Sequence, residues 1–143
     1  MIRPLRTDNK GYVRWLAGAA INKGQVCVLT GGECVPAAEG VASAVILGVA
    51  VEDCADAATA ILYNPRQQFE ADLYQGGATD VATAAMIGTD YDIYVDGAAD
   101  DGSGEGEMYL DLNDTTGPMF NLLGYDNIRR VATVMFIESL LYV

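Results

Sequence analysis

Apolar and polar residues alternate with a period of two through much of this chain. Phe69, Ala71 and Leu73 interleave with Glu70, Asp72 and Tyr74, and Tyr91, Ile93 and Val95 interleave with Asp92, Tyr94 and Asp96. That period marks strands with one buried face. Between these two strands the pattern changes. Thr79 or Asp80 is placed to cap a helix, Ala82, Ala85 and Met86 share a helical face, and Gly88 is a stop signal. A short helix is therefore predicted over about residues 79–87, sized to plug the end of a small barrel.

The same reading extends along the chain. Residues 25–30 are rich in β-branched side chains, Gly31 and Gly32 permit a tight turn, residues 33–35 return, and Pro36 ends the pairing. This is a β-hairpin. Residues 44–51 are almost continuously apolar, as in a strand covered on both faces, and Gly48 within them marks a bulge or a close backbone approach. Further strands are predicted over residues 59–63, 108–112, 120–124 and 130–137, with turns at Asn64-Pro65, 113–118 and Asp126-Asn127. The apolar end, residues 140–143, is expected to tuck into the body or a neighbour. Short strands at this spacing predict an all-β protein, a single compact β-barrel or β-sandwich-like domain over residues 17–143. Pro4 and Gly11 oppose a helix in residues 1–16, which are predicted to form an extended N-terminal arm.

Composition narrows the function. Apolar residues make up 51% of the 143, enough for a core of the chain's own. The longest apolar stretch, residues 41–51, is about half of the roughly 20 residues a membrane-spanning helix needs. A basic start followed by residues 15–21 loosely imitates a signal peptide, but that apolar run is too short for one. The formal charge is −12, yet Arg3, Arg6, Lys10, Arg14 and Lys23 face Asp8 alone in the first 23 residues. So acidic a body repels nucleic acid. A basic arm carrying Ile2, Leu5, Tyr12, Val13 and Trp15 suits docking onto an acidic protein surface, including a neighbouring copy.

Candidate chemistry is sparse. The chain has no histidine, hence no ordinary general base or imidazole metal ligand. Cys27, Cys34 and Cys54 lack a C-x-x-C spacing and read as small buried hydrophobes, although Cys27 and Cys34 flank the hairpin turn and could face each other. Asp96, Asp100, Asp101, Glu105 and Glu107 form an acidic loop whose spacing does not match a calcium loop; a solvated hairpin tip is expected there, with a weak cation site as the alternative. Glu70/Asp72 and Asp90/Asp92 are carboxylate pairs that strand alternation alone produces. No serine sits in a nucleophile motif and no glycine cluster has the lysine of a phosphate loop. The expectation is a protein without enzymatic activity, cofactor or metal. Among the eight tyrosines, Tyr74 and Tyr94 fall on polar strand faces, where a phenol ring packs across strands, stacks on a sugar or anchors an interface.

The run Ala20-Ile21, Lys23-Gly24, Val26, then Val28-Leu29, Gly31-Gly32 and Val35-Pro36-Ala37, resembles the N-terminal half of the capsid decoration (cement) proteins of tailed bacteriophages. Residues 48–53 (GVAVED), Phe69-Glu70-Ala71 with Leu73, Ile87-Gly88 and Tyr91-Asp92-Ile93 extend the resemblance over most of residues 17–137. It implies a non-enzymatic structural protein, made in the host cytoplasm, that binds the outer capsid surface of the virion. Its partners would be the major capsid protein and itself, as a homotrimer, bridging neighbouring shell subunits. On that reading Arg3, Leu5, Arg6, Tyr12, Arg14 and Trp15 of the arm form the capsid or inter-subunit interface. The alternative is a β module of the head-fibre or receptor-binding type that binds carbohydrate or a host surface through its exposed tyrosines.

Overall fold

A computed structural model describes residues 1–5, 11–40, 44–96 and 107–142. The protein is all-β. Its strands are β1 (Ile2–Pro4), β2 (Tyr12–Leu16), β3 (Val26–Thr30), β4 (Glu33–Pro36), β5 (Ile46–Ala50), β6 (Thr59–Tyr63), β7 (Phe69–Asp72), β8 (Asp90–Val95), β9 (Met108–Asp111), β10 (Phe120–Asp126) and β11 (Val131–Phe136). They form a six-stranded sheet ordered β1-β7-β11-β10-β8-β9 and a five-stranded sheet ordered β2-β6-β5-β3-β4.

Both sheets curl back on themselves. In the larger one, Leu73, just past β7, bridges Leu110 of β9, and the Tyr74 N–H donates to the Leu110 carbonyl at 2.9 Å. In the smaller one, Ala17, just past β2, bridges Cys34 of β4, and the Gly18 N–H donates to the Cys34 carbonyl at 2.8 Å. Alternation then sorts the side chains into two cores. Cys27, Cys34, Leu47, Ala50, Ala60 and Leu62 fill the smaller barrel, joined by Ala17 and Ile21. Val26, Val28, Ile46 and Val49, on the opposite faces of those strands, pack against the larger sheet's Phe69, Ile93, Leu110, Phe120, Leu122 and Val134. Phe136 lies between Phe69 and Phe120, with ring centroids at 5.4 and 4.4 Å.

Every residue of β5 is buried, as its continuous apolar run predicts, because it contributes to both cores. Gly48 makes this possible. The β3–β5 register slips there, so Ile46 and Val49 share one face while Leu47 and Ala50 share the other. Its φ of +151° suits glycine, and a Cβ would collide with the Tyr63 carbonyl oxygen. The predicted bulge and the predicted close approach therefore fall on one residue. The hairpin turn is also as expected, with φ of +59° at Gly31 and +83° at Gly32. At the far end Leu141 is buried and bridges Ile46.

Two expectations change. The helix over residues 79–87 does not form; the segment holds one 3-10 turn, Ala84–Met86. Two asparagines from distant loops claim the backbone groups a helix would use. Asn113 accepts from the Thr79 N–H at 2.7 Å and donates to its carbonyl at 3.1 Å; Asn127 does the same at Ala82, at 2.9 and 2.8 Å. These amides act as a strand neighbour would and hold the segment extended. Gly88 does close the turn, at φ +88°. Residues 2–4 and 12–16 are extended, but these strands do not stand off the body. β1 pairs with β7 and β2 with β6, so this segment supplies a strand to each sheet.

Candidate interaction surface

The residues expected to form one docking arm are divided between two sheets. Arg3 lies on β1 directly opposite Glu70. Its Nε and Nη2 donate to Glu70 Oε1 at 3.0 and 2.6 Å, and Nη1 and Nη2 donate to Asp72 Oδ1, each at 3.1 Å. The Met1 ammonium reaches Asp72 Oδ2 at 2.9 Å, and Arg129 Nη2 reaches Glu70 Oε1 at 3.0 Å. Desolvation pushes the Glu70 and Asp72 carboxyls up, but the hydrogen bonds and charges of these cations outweigh it and hold both below the usual carboxylate range. Arg3 therefore ties β1 to β7 within the chain. Leu5 is half-buried and its N–H donates to the Gln68 carbonyl at 3.0 Å. Arg6 lies outside the described residues.

Tyr12, Arg14 and Trp15 are brought together on β2. Among the described residues, β6 is the strand that pairs β2 over Tyr12–Leu16. Ala17 turns both its N–H and its carbonyl toward the β6 side, to Ala58 and Ala57, each at 2.9 Å. By alternation Tyr12 and Arg14 turn their backbone groups the other way, along the outer edge of the sheet, while at Leu16 that side meets β4 through the Ala17–Cys34 bridge. Their side chains are exposed as well, at 49% for Tyr12 and 52% for Leu16. Tyr12 leans on Tyr63 at 5.8 Å between ring centroids, and Trp15, whose inner side packs on the small barrel's core, meets the exposed Tyr142 edge-on at 5.1 Å. Leu16, on the face of Tyr12 and Arg14, and Tyr142, against Trp15 on the other face, were not singled out from sequence. Their signal was available in part: Leu16 breaks the apolar–polar alternation on a strand that already carries Val13 and Trp15.

Tyr74 and Tyr94, on the polar faces of their strands, form a cluster with Tyr109. Tyr74 and Tyr94 stack with centroids 3.7 Å apart and planes 16° apart, and Tyr109 leans toward Tyr74 at 6.5 Å and 52°. Tyr109 stands opposite Tyr94 across β8 and β9 and donates its hydroxyl to Glu107 Oε2 at 2.8 Å. That bond, with burial and the surrounding carboxylates, pushes the Tyr109 phenol up to about 12.

Of the acidic loop, Asp96 and Glu107 are described and residues 97–106 lie outside the described set. Among the described residues no group of three or more metal-ligating side chains is placed to hold an ion. Cys27 and Cys34 are free thiols fully buried in the small barrel, and Cys54 is free and half-buried. The hydrogen bond to Cys34, then burial, holds the Cys27 thiol well above its ordinary range. The β3–β4 register sets Cys27 opposite Pro36 and Cys34 opposite Leu29, so the two thiols are diagonal neighbours inside the barrel. Among the described residues no helix is long and apolar enough to cross a membrane.

Neither a protein-family model nor a curated protein matches the chain. The functional reading therefore rests on the geometry of these surfaces and on the residue-level resemblance.

Proposed function

We propose that this protein is a structural decoration subunit that binds the outer surface of a bacteriophage head and bridges neighbouring shell subunits. The observation that carries this reading is the outer edge of β2 at Tyr12 and Arg14, where exposed side chains and outward-turned backbone groups occur together, ahead of the point where Ala17 closes onto β4. An edge of this kind accepts a strand from another protein, with backbone hydrogen bonds giving affinity and alternate side chains giving specificity. A symmetric antiparallel pairing of two β2 strands centred on Arg14 would set arginine against arginine. The edge thus favours a different partner strand, one with a carboxylate opposite Arg14. The major capsid protein is the proposed partner, and a homotrimer would multiply modest contacts into avidity.

Point variants test this better than truncation at Ala17, which would also remove β1 and β2 from their sheets. Purified heads lacking this protein are mixed with wild type or with Arg14→Glu, and bound protein is quantified after sedimentation. Charge reversal is expected to weaken binding at least tenfold while the melting temperature changes little. Equal occupancy of heads by both proteins refutes the role of β2. Copy number per particle tests the wider claim, since a decoration protein is present at about the abundance of the main shell protein.

A second reading, a carbohydrate- or host-surface-binding module, is favoured by the stacked Tyr74 and Tyr94. Binding to a glycan array with no affinity for heads would establish it in place of the first.

A further inference from the structure

In the turn that joins β10 to β11, the side chains on either side of Ile128 are all engaged. Asp126 Oδ1 accepts from the N–H groups of Ile128 and Arg129 at 3.0 and 3.1 Å. The Asn127 amide is clamped to the backbone of Ala82. The Arg129 guanidinium donates to both oxygens of Glu70, to Oε2 at 3.1 Å and to Oε1 at 3.0 Å. Arg130, at φ +57°, donates to Gln75 Oε1 at 2.6 Å. The Ile128 side chain between them is 95% exposed. A lone apolar residue on a surface is ordinary. A branched one held at a turn whose neighbours are fixed is pre-organised, and it can enter a pocket without the ordering cost that a loose loop would meet.

A matching hollow lies at the other end of the same hairpin. Val28, Val35, Pro36, Ala44 and Met119 line an apolar pocket of about 370 Å³ where the β3–β4 hairpin meets the start of β10. Thr30 and Ala38 belong to its lining too. Thr30 pairs with Glu33 across the hairpin and Ala38 is followed by Glu39, and both glutamates are exposed. Glu39 accepts from the Val95 N–H, which fixes its carboxylate in place. Met119 precedes the first residue of β10 and the turn follows the last, so the knob and the hollow stand about 20 Å apart along one strand. Within one molecule they do not meet.

We propose that Ile128 anchors self-association by entering the Met119 hollow of a second copy of this chain, with Arg129 and Arg130 set against Glu33 and Glu39 of that copy. The occupant follows from charge. Two arginines flank the knob and two carboxylates adjoin the hollow, so this contact joins opposite charges in a chain whose net charge of −12 otherwise holds copies apart. The apolar lining suits one aliphatic side chain together with the stem of a neighbouring arginine. The two surfaces differ, so the contact is head-to-tail; repeated, it closes into a ring or runs on as a filament. One knob buries little area, and association in the range of about 10 µM to 1 mM is expected. The contact uses neither β2 nor a capsid and does not rest on the head-binding reading.

The test is sedimentation velocity on the intact protein from about 10 µM to about 1 mM. Wild type is expected to pass from monomer to larger species. Ile128→Asp removes the knob, and Ala38→Arg blocks the hollow with a charge like those of Arg129 and Arg130. Each variant alone should associate at least tenfold more weakly. Both positions are exposed, so both variants should melt as wild type does. An equimolar mixture should regain one contact and stop at a heterodimer, because the intact Ile128 of the Ala38→Arg protein meets the intact hollow of the Ile128→Asp protein. A contact elsewhere on the surface gives no such rescue. A wild type that stays monomeric throughout, unchanged association of Ile128→Asp, or no recovery in the mixture overturns the proposal. Failure of head binding would leave this result unaffected, and the converse also holds.

Discussion

Asp92 makes the protein less stable at neutral pH than at mildly acidic pH, by an amount the structure allows to be worked out. Its side chain is fully buried, with Oδ2 accepting from the Gly40 N–H. Loss of water raises its pKa from 3.8 to about 6. The N–H bonds from Gly40 and Ile93 act in the opposite direction but do not win, and the charges of Asp114 and Glu39 add to the upward push. Asp111, directly opposite, presents a further acid. The native state therefore keeps a proton that the unfolded chain releases between about pH 4 and pH 6. For a group whose pKa is raised by folding, the stabilisation is complete below the unfolded value and is lost as pH rises through the folded one. A shift of about two units corresponds to roughly 3 kcal/mol between the acid and neutral limits. About 1.3 kcal/mol of that falls between pH 5 and pH 7. In a chain of this size that is about 4 °C of melting temperature. The assay is urea or thermal unfolding of wild type and Asp92→Asn at pH 5, 6 and 7 and constant ionic strength. The general repulsion within a chain of net charge −12 acts on both proteins, so the difference between their profiles isolates Asp92. Wild type is expected to lose about 1.3 kcal/mol more than the variant over this range. Parallel profiles would refute the reasoning.

Three further outcomes follow from the geometry. Gly48→Ala forces a Cβ against the Tyr63 carbonyl at a φ that L-residues avoid, and should cost about 3 kcal/mol or more in a urea melt, because neither β5 nor β6 can withdraw without opening a core. Glu70→Gln removes the charge shared by Arg3 and Arg129 and should cost about 1–2 kcal/mol at pH 7; because folding lowers the Glu70 pKa, the difference from wild type should vanish as pH falls through that lowered value, which acid-titrated melts would show. In the native protein a thiol reagent should reach Cys54 slowly and leave Cys27 and Cys34 untouched, with all three reacting in denaturant; rapid native labelling of Cys27 would contradict the closed small barrel.

Local signals carried much of this fold. The β3–β4 hairpin was legible because its turn depends on two adjacent glycines, and β5 because burial on both faces leaves no polar position to disguise the strand. Gly48 was legible for the same reason: a glycine among β-branched residues needs a backbone cause. The segment over residues 79–87 misled because its propensities are helical while its partners, Asn113 and Asn127, lie 34 and 45 residues away in sequence. The first sixteen residues misled differently. Tyr12, Arg14 and Leu16 on one face and Val13 and Trp15 on the other are nearly all apolar, so no period announces β2. As a result Arg3 was grouped with Arg14, although one is an internal ion-pair residue and the other faces solvent at an edge. The tyrosine cluster depends on the register of β8 and β9, which a linear reading does not supply; the tyrosines were visible as polar-face residues, but not that three of them would meet.

The position of β11 has a consequence for how the chain matures. Among the described residues it is the last strand in chain order, yet it lies between β7 and β10. During synthesis the larger sheet therefore waits, with two strand edges uncovered, until residues 131–136 emerge. The smaller barrel has no such delay, since its strands are complete at Tyr63. A nascent chain should thus pass through a stage with one barrel shut and the other open. Early termination or premature release would produce an adhesive species from a protein whose finished surface is strongly acidic and self-repelling.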